Sequence, residues 1–394
     1  MFALLQVTRP PLPSTPVGAE VREPAAIRAI FDHDCYSCHS SQRRLAWFDE
    51  IVPAYWLVRY DIIAAREHLN FSTLGSTTPA TQKAALYQAV NFMQFGEMPP
   101  SRFTALHPDA RVTPDAITKL KAYLAPWSTI PDEAVAAAGD SGVRPQVVRP
   151  EFNGFAYDAA YKNWQPISFT DRGDNNTFRM ILGNSVAIEA ARSGKISPWP
   201  DGARLAKVAW RQESGPEGLT YPGKFVQVEF MSKDAGRYRQ TQGWNWGRWR
   251  GMELTPYGSG TSFVNECTGC HVPMRDHDHV YTLPMAPLPR GWPWPVLTWN
   301  AITMYTDRRA QSMATLYRNP GGTVLAQATW AQRDDPHWFG ARIPGALQSV
   351  EVVELATKRY HRYGGAPLTE RAAADEFAAE RSRFIQNLRP AILP

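Results

Sequence analysis

The sequence predicts an α+β multidomain chain: one all-α domain first, then two mostly antiparallel β-sheet domains. Three observations predict it. Between residues 23 and 128, Thr-Pro starts and apolar residues at helical spacing recur. From about residue 149 the texture changes to short β-branched and aromatic runs punctuated by glycine and proline. A later stretch then repeats the order of pieces found in the first of these β regions.

Composition sets the frame. A chain of 394 residues suffices for two or three domains with real cores. Hydrophobic residues at 44% and charged residues at 20% describe an ordinary globular protein. The 33 prolines, 27 glycines and 14 tryptophans favour turns and aromatic contacts over long unbroken helices. The formal charge of +5 comes from scattered Lys and Arg without a basic run, so nucleic acid is not expected as a partner. No stretch approaches the roughly 18 apolar residues of a membrane span. Residues 1–22 read as an N-terminal extension. Its opening, MFALLQV, is too short for a complete signal peptide and reads as the remnant of one, or of a membrane anchor.

In the helical domain, 23–128, Pro24 to Phe31 reads as a short helix feeding CYSCH at 35–39. A second helix starts at Thr78 as N-cap with Pro79 at its first position, and Gly96 ends it. A third starts at Thr113 and Pro114, with Ile117, Leu120 and Leu124 in one apolar stripe. Residues 129–148 read as a linker.

The four cysteines form two copies of one pattern, CYSCH at 35–39 and CTGCH at 267–271. C-x-x-C-H is the c-type haem attachment sequence. Two thiols at i and i+3 add to the haem vinyl groups, and the adjacent histidine binds iron. A thioredoxin-like pair would lack the histidine and sit in a βαβ pattern, and one zinc site would need both distant pairs. Two covalently attached haem c groups are therefore expected, on Cys35, Cys38 and His39 and on Cys267, Cys270 and His271. Covalent attachment places the chain in a periplasm or an equivalent extracytoplasmic space. Between the second and third helices lies GEMPP at 96–100. Met98, in a loop stiffened by two prolines, is a candidate sixth ligand; the other reading is core filler. His33, His68 and His107 read as surface or structural.

With CYSCHSS, Trp47, VPAYWLVRYDI around Trp56, HLNFS at 68–72 and MPP, this region resembles a small haem-binding cytochrome family. RRLAWF stands where that family has a tryptophan–proline stretch. The resemblance implies an all-α, cytochrome c-like domain with one haem and Met98 as axial ligand. His/Met ligation favours electron transfer.

The domain at 149–284 carries strand-like runs TFRMILGN, ARLAKVAW and KFVQVEFM, and its CxxCH comes at the end. In LAKVAW, Lys207 shares a strand face with Leu205 and Ala209. Such a lysine ordinarily snorkels to water. The pieces FRMILGNSVAIEAA, SPWPDGARLAKVAW, FVQVEFMSKDAGRYRQTQGWNWGRW and ECTGCH, in that order, resemble cytochrome P-460 and the β-sheet form of cytochrome c prime. The resemblance implies that Lys207 is cross-linked to the porphyrin rim. It also makes Glu229 a candidate distal acid for proton relay and Arg179 a candidate distal polar contact. No methionine is placed by a motif as sixth ligand here, so an open distal position is expected.

Residues 285–394 read as a degenerate, haemless P-460-like repeat. Residues 164–184 line up with 299–319, LAKVAWRQ with LAQATWAQ at 325–332, and YPGKFVQVEFM with IPGALQSVEVV at 343–353. Tyr238 and Tyr360 each sit nine residues beyond Glu229 and Glu351. The second copy has no CxxCH, Gln327 in place of Lys207 and Ala314 in place of Arg179. The resemblance implies a homodimer, so this copy is expected to act as a built-in partner; a homo-oligomer of the whole chain stays open. The end, TERAAADEFAAERSRFIQNL, reads as a surface helix capped by Thr369 with Phe377, Phe384 and Leu388 inward.

The expected function is oxidation of a small nitrogen compound, hydroxylamine by preference, at the C-terminal haem, with Lys207, Glu229 and Arg179 as site residues. Electrons would leave through the N-terminal haem to a redox partner protein. The alternatives are a nitric oxide binding or scavenging cytochrome and an electron-transfer subunit of a larger complex.

Overall fold

A computed structural model of the chain describes residues 2–14, 19–42, 45–126, 147–215, 218–260, 262–286, 303–319 and 321–394. Most of the expected linker, 129–148, and the start of the second repeat, 299–302, lie outside the described residues. The chain divides into two compact units, 1–133 and 134–394.

The first unit is helical. Its longer helices are α1 (Ala25–Asp34), α2 (Ala54–His68), α3 (Pro79–Gln94) and α4 (Pro114–Leu124). Thr78 and Thr113 cap α3 and α4 by accepting the backbone N–H of Thr81 and Ala116, and proline follows each cap. Burying Phe31, Tyr36, Ile62, Phe71, Leu86, Tyr87, Val90, Leu120 and Leu124 holds the helices together. Phe71 is the hub: its ring lies 4.9 Å from that of Phe31 and 5.0 Å from that of Tyr36.

The second unit is built on one antiparallel sheet. The first repeat supplies β1 (Gln165–Arg172), β2 (Thr177–Gly183), β3 (Arg204–Ser214), β4 (Leu219–Lys233), β5 (Trp244–Arg250) and β6 (Thr255–Pro256). Helix α5 (Ser185–Ser193) crosses from β2 to β3, and α6 (Ser262–His271) follows β6. The second repeat supplies β7 (Met304–Asp307), β8 (Ser312–Arg318), β9 (Val324–Asp334), β10 (Ala341–Glu354), β11 (Arg359–Gly364), β12 (Thr369–Arg371) and α7 (Asp375–Asn387). Strands run β1-β2-β3-β4-β7-β8-β9-β10, and β10 pairs back to β1, closing a ring. Closure removes the free edges that either repeat would expose alone.

The two repeats match in strand register at their central positions. Lys207 pairs with Glu229 as Gln327 pairs with Glu351. Arg179 pairs with Ala209 as Ala314 pairs with Thr329. The joints are symmetric too: Leu219 pairs with Asp307 at one, and Ala341 with Arg172 at the other. One alignment needs correction. Tyr360 lies on β11 opposite Val353, where the first repeat has Trp246 opposite Met231; Tyr238 sits in the turn before β5. Equal spacing from a glutamate misled because the β4–β5 connection is longer than the β10–β11 connection.

Strand alternation sorts the side chains. One face of both repeats points into a shared core of Phe169, Phe178, Val208, Trp210, Val228, Trp330, Val350 and Val352. Phe169 meets Trp330 edge-on across it, centroids 6.0 Å apart. The opposite faces point outward and are covered by helices. Thr369 does not cap the last helix: it belongs to β12, paired with Gly364, and the helix begins at Asp375. Nor is α7 merely a surface helix. Ile385 and Leu388 are buried against Leu316, Leu325 and Val353, whereas Phe377 is exposed.

Candidate functional site

In the first unit, CYSCH folds as a tight turn at the end of α1. The N–H groups of Cys38 and His39 bond the Cys35 carbonyl at 3.2 and 2.9 Å. Both thiols are free, so the i, i+3 pair is not spent on a disulfide. Burial pushes the Cys38 thiol up to about 11 and raises Cys35 as well. His39 Nδ1 lies 2.9 Å from the Leu69 carbonyl. A carbonyl only accepts, so Nδ1 carries the proton and Nε2 keeps a lone pair for a metal. Burial lowers the pKa of His39, favouring the neutral ring a metal needs.

Met98 follows α3 in a turn closed by its N–H bonding to Phe92 O at 3.2 Å. It is 37% exposed, while Met93 on the same helix is 6% exposed. Met98 therefore fills no core. Two polar clamps fasten the chain just after it. Arg102 bonds Asp61 at 2.6 and 3.2 Å, and His107 Nε2 lies 2.9 Å from Asp49. His107 is thus structural, as expected.

The second site lies on the outer face of β2–β5, beneath α6. One row crosses the sheet: Ile181, Lys207, Glu229 and Arg248 are consecutive register partners. Lys207 Nζ contacts Glu229 Oε2, and Arg248 Nε lies 2.6 Å from Glu229 Oε1. Neither Glu229 Oε2 nor Arg248 Nε has hydrogen-bond geometry, so these contacts are ionic pairs with polar capacity left over. Arg248 also reaches Glu266 on α6 at 3.1 Å, tying helix to sheet. Arg179 shares this face, its Nε donating to Thr177 Oγ1 at 3.2 Å. Burial, then the like charge of Arg172, pushes Arg179 down to about 9. Burial, then Arg179 and Arg248, holds Lys207 well below the ordinary lysine range.

Helix α6 brings the attachment residues to this face. The His271 ring packs on Trp246, two residues before Arg248, with centroids 4.5 Å apart. His271 Nδ1 lies 2.7 Å from the His279 carbonyl, which fixes the same tautomer as in the first unit. Burial pushes His271 down to about 3, so it is neutral. Burial raises both Cys267, to about 11, and Cys270. A neutral histidine with its Nε2 free, two unpaired thiols and a face with unsatisfied polar atoms fit a haem. Lys207, Glu229, Arg179, Cys267, Cys270 and His271 thus gather in one place. Sequence reasoning missed Arg248. Its signal is the alternation in NWGRWR, which puts Trp246 and Arg248 on one strand face.

The second repeat shows the same ground put to another use. β11 and β12 pair as β5 and β6 do, Tyr363 with Glu370 as Trp249 with Pro256. Counting on without a gap puts Arg381 at the place of Cys267, Phe384 at Cys270 and Ile385 at His271. Arg381 bonds Glu351 through Nε and Nη2, each at 2.8 Å, and Tyr360 donates to the same carboxylate. Phe384 packs edge-on against Tyr305, centroids 5.6 Å apart. Helix α7 thus fills the face that α6 equips with thiols and histidine.

Comparison with known families agrees with this division. Residues 2–126 match the family model of a haem-binding domain, and residues 158–282 match that of cytochrome P460. No curated protein matches the chain. The chain is a haem cytochrome that joins a haem-binding domain to a cytochrome P460 domain.

Proposed function

We propose that this cytochrome is a dihaem c-type oxidoreductase that oxidises a small nitrogen compound, hydroxylamine in the first instance, at the P460 domain. Electrons would leave through the N-terminal domain to a redox partner protein. Cys35, Cys38, His39 and Met98 would hold one haem; Cys267, Cys270, His271 and, as a cross-link, Lys207 would hold the other. Bound haem supplies one-electron chemistry and a coordination position for a small ligand. The protein's own groups supply the rest. Oxidation of hydroxylamine releases protons, and Glu229 is the carboxylate on the site face able to accept them. Arg248 holds that carboxylate through its guanidinium. Arg179 offers a guanidinium to a polar ligand. Thioether attachment makes an extracytoplasmic location part of the proposal. Among the described residues no helix is long and apolar enough to cross a membrane.

The observation that carries this reading is the Lys207–Glu229–Arg248 row beneath the CxxCH helix, against Gln327, Glu351 and the Arg381 plug in the second repeat. The test is spectral and kinetic. A lysine bonded to porphyrin gives the reduced protein an abnormal, red-shifted band. Hydroxylamine oxidation with an artificial acceptor then collapses in Lys207→Ala. Two ordinary c-type spectra, or unchanged turnover in the variant, would sink the cross-link. A second reading, a nitric oxide binding cytochrome, would be favoured by a Lys207 that is not cross-linked.

A further inference from the structure

A connection of the second repeat reaches the first repeat's site. Between β9 and β10 it has six residues, 335–340, where the first repeat has four, 215–218. Trp338 in this longer connection meets Tyr281 edge-on, with centroids 5.7 Å apart at 73°. Tyr281 in turn meets the His271 ring edge-on, 5.2 Å at 78°. Tyr281 also donates from its hydroxyl to the Cys270 carbonyl at 2.7 Å, and its own carbonyl accepts from His337 Nδ1 at 2.7 Å. From behind, Arg172 lies 4.4 Å over the Trp338 ring, and Trp338 Nε1 donates to Asp174 at 3.2 Å. Arg172 and Asp174 form a buried bidentate pair, so this backing is stiff.

We propose that Trp338 is a positioning residue for His271: the repeat without a CxxCH motif supplies the wall that fixes the ring of the other repeat's histidine. Tyr281 transmits the contact. Trp246 holds the ring elsewhere and the His279 carbonyl fixes its tautomer. The orientation of a metal-ligating histidine and the dryness of its surroundings tune the metal. Removing Trp338 frees Tyr281 on one side and admits water beside the ring. Water favours the more highly charged, oxidised iron, so the potential falls.

The inference rests on the proposed role of His271 as axial ligand. The experiment therefore uses the full, haem-loaded chain and reads both haems. In Trp338→Ala, the reduced-to-oxidised ratio of the C-terminal haem at fixed solution potential falls by up to about tenfold, through the looser histidine and the water admitted beside it. Tenfold corresponds to about 59 mV for a one-electron couple. The N-terminal haem does not move, and Trp338→Phe restores most of the shift. His337→Ala, which deletes the hold on the Tyr281 carbonyl and a ring contact with His277, gives a smaller fall and serves if Trp338→Ala fails to fold. An unmoved C-terminal potential in folded variants, or equal shifts at both haems, would overturn the inference. A chain with no haem on Cys267 and Cys270 would instead overturn the proposed function beneath it.

Discussion

Replacing Arg381 by methionine tests whether the second repeat is sealed by a buried ion pair. Glu351 sits near the end of β10, and its side chain is 7% exposed. Its carboxylate accepts from Arg381 twice, at 2.8 Å each, from Tyr360 at 2.5 Å and from Gln327 at 3.3 Å. Arg381→Met keeps the apolar stem but leaves the carboxylate with neutral donors only. Breaking a buried pair from one side costs about 3–5 kcal/mol. Arg381 is 24% exposed, so some water reaches the site and the lower end, ~3 kcal/mol, applies. Urea unfolding of the full chain, followed by near-ultraviolet circular dichroism, should show a midpoint lower by roughly 1 M at an unchanged slope. Adding Glu351→Gln should recover most of the loss, because an uncharged pair is cheap to bury. A single variant less than ~1 kcal/mol below the parent, or a double variant worse than the single, would refute the argument.

Three further expectations follow from particular groups. His361 lies between Glu370 and Glu354, at 2.8 and 3.0 Å; partial burial opposes its protonation, but the two carboxylates outweigh it and raise its pKa. A raised histidine pKa stabilises the fold fully below the unfolded value of ~6.5 and is lost as pH rises through the folded value, so the melting difference between parent and His361→Gln should be largest at acid pH and vanish in alkali. If Met98 ligates the N-terminal haem, Met98→Ala should let reduced protein bind carbon monoxide at that haem; a parent that binds it equally well argues against ligation. Thr113→Ala removes the cap on the Ala116 N–H and should cost ~1 kcal/mol in the unfolding of the helical unit, with no effect on the β unit.

Local signals were legible. Thr78 and Thr113 cap as read, because a cap needs only its neighbours in sequence. Lys207 and Glu229 were legible only through the family resemblance; the β3–β4 register is what makes them partners. What depended on distant pairing was not legible. Arg248 joins the row only through the β4–β5 register. The role of α7 depends on Glu351, thirty residues before Arg381. Its FAAERSRFIQNL pattern alone suggests an amphipathic surface helix, since an arginine beside apolar residues normally lies at a helix flank. The alignment of Tyr238 with Tyr360 failed for a related reason: it counted residues across a connection whose length differs between the copies.

The duplication explains why a repeat can lose its attachment motif and still be needed. In the closed ring, β1 and β4 of the first repeat each end against a strand of the second, at Asp171–Arg172 and Leu219–Thr220. The core is likewise shared, with Trp330, Val350 and Val352 packed among Phe169, Phe178 and Trp210. Deleting the second repeat would expose two strand edges and half of that core, so it is held in place by packing whatever its outer face does. The outer face is free of that constraint. There the two copies diverge: α6 carries two thiols and a histidine over a Lys–Glu–Arg row, while α7 carries an arginine and a phenylalanine that close over the matching glutamate. In a homodimer every such change would appear twice, and plugging one site would plug both. Fusion on one chain breaks that symmetry, and a longer β9–β10 connection can then reach across to the remaining site without a reciprocal contact being imposed.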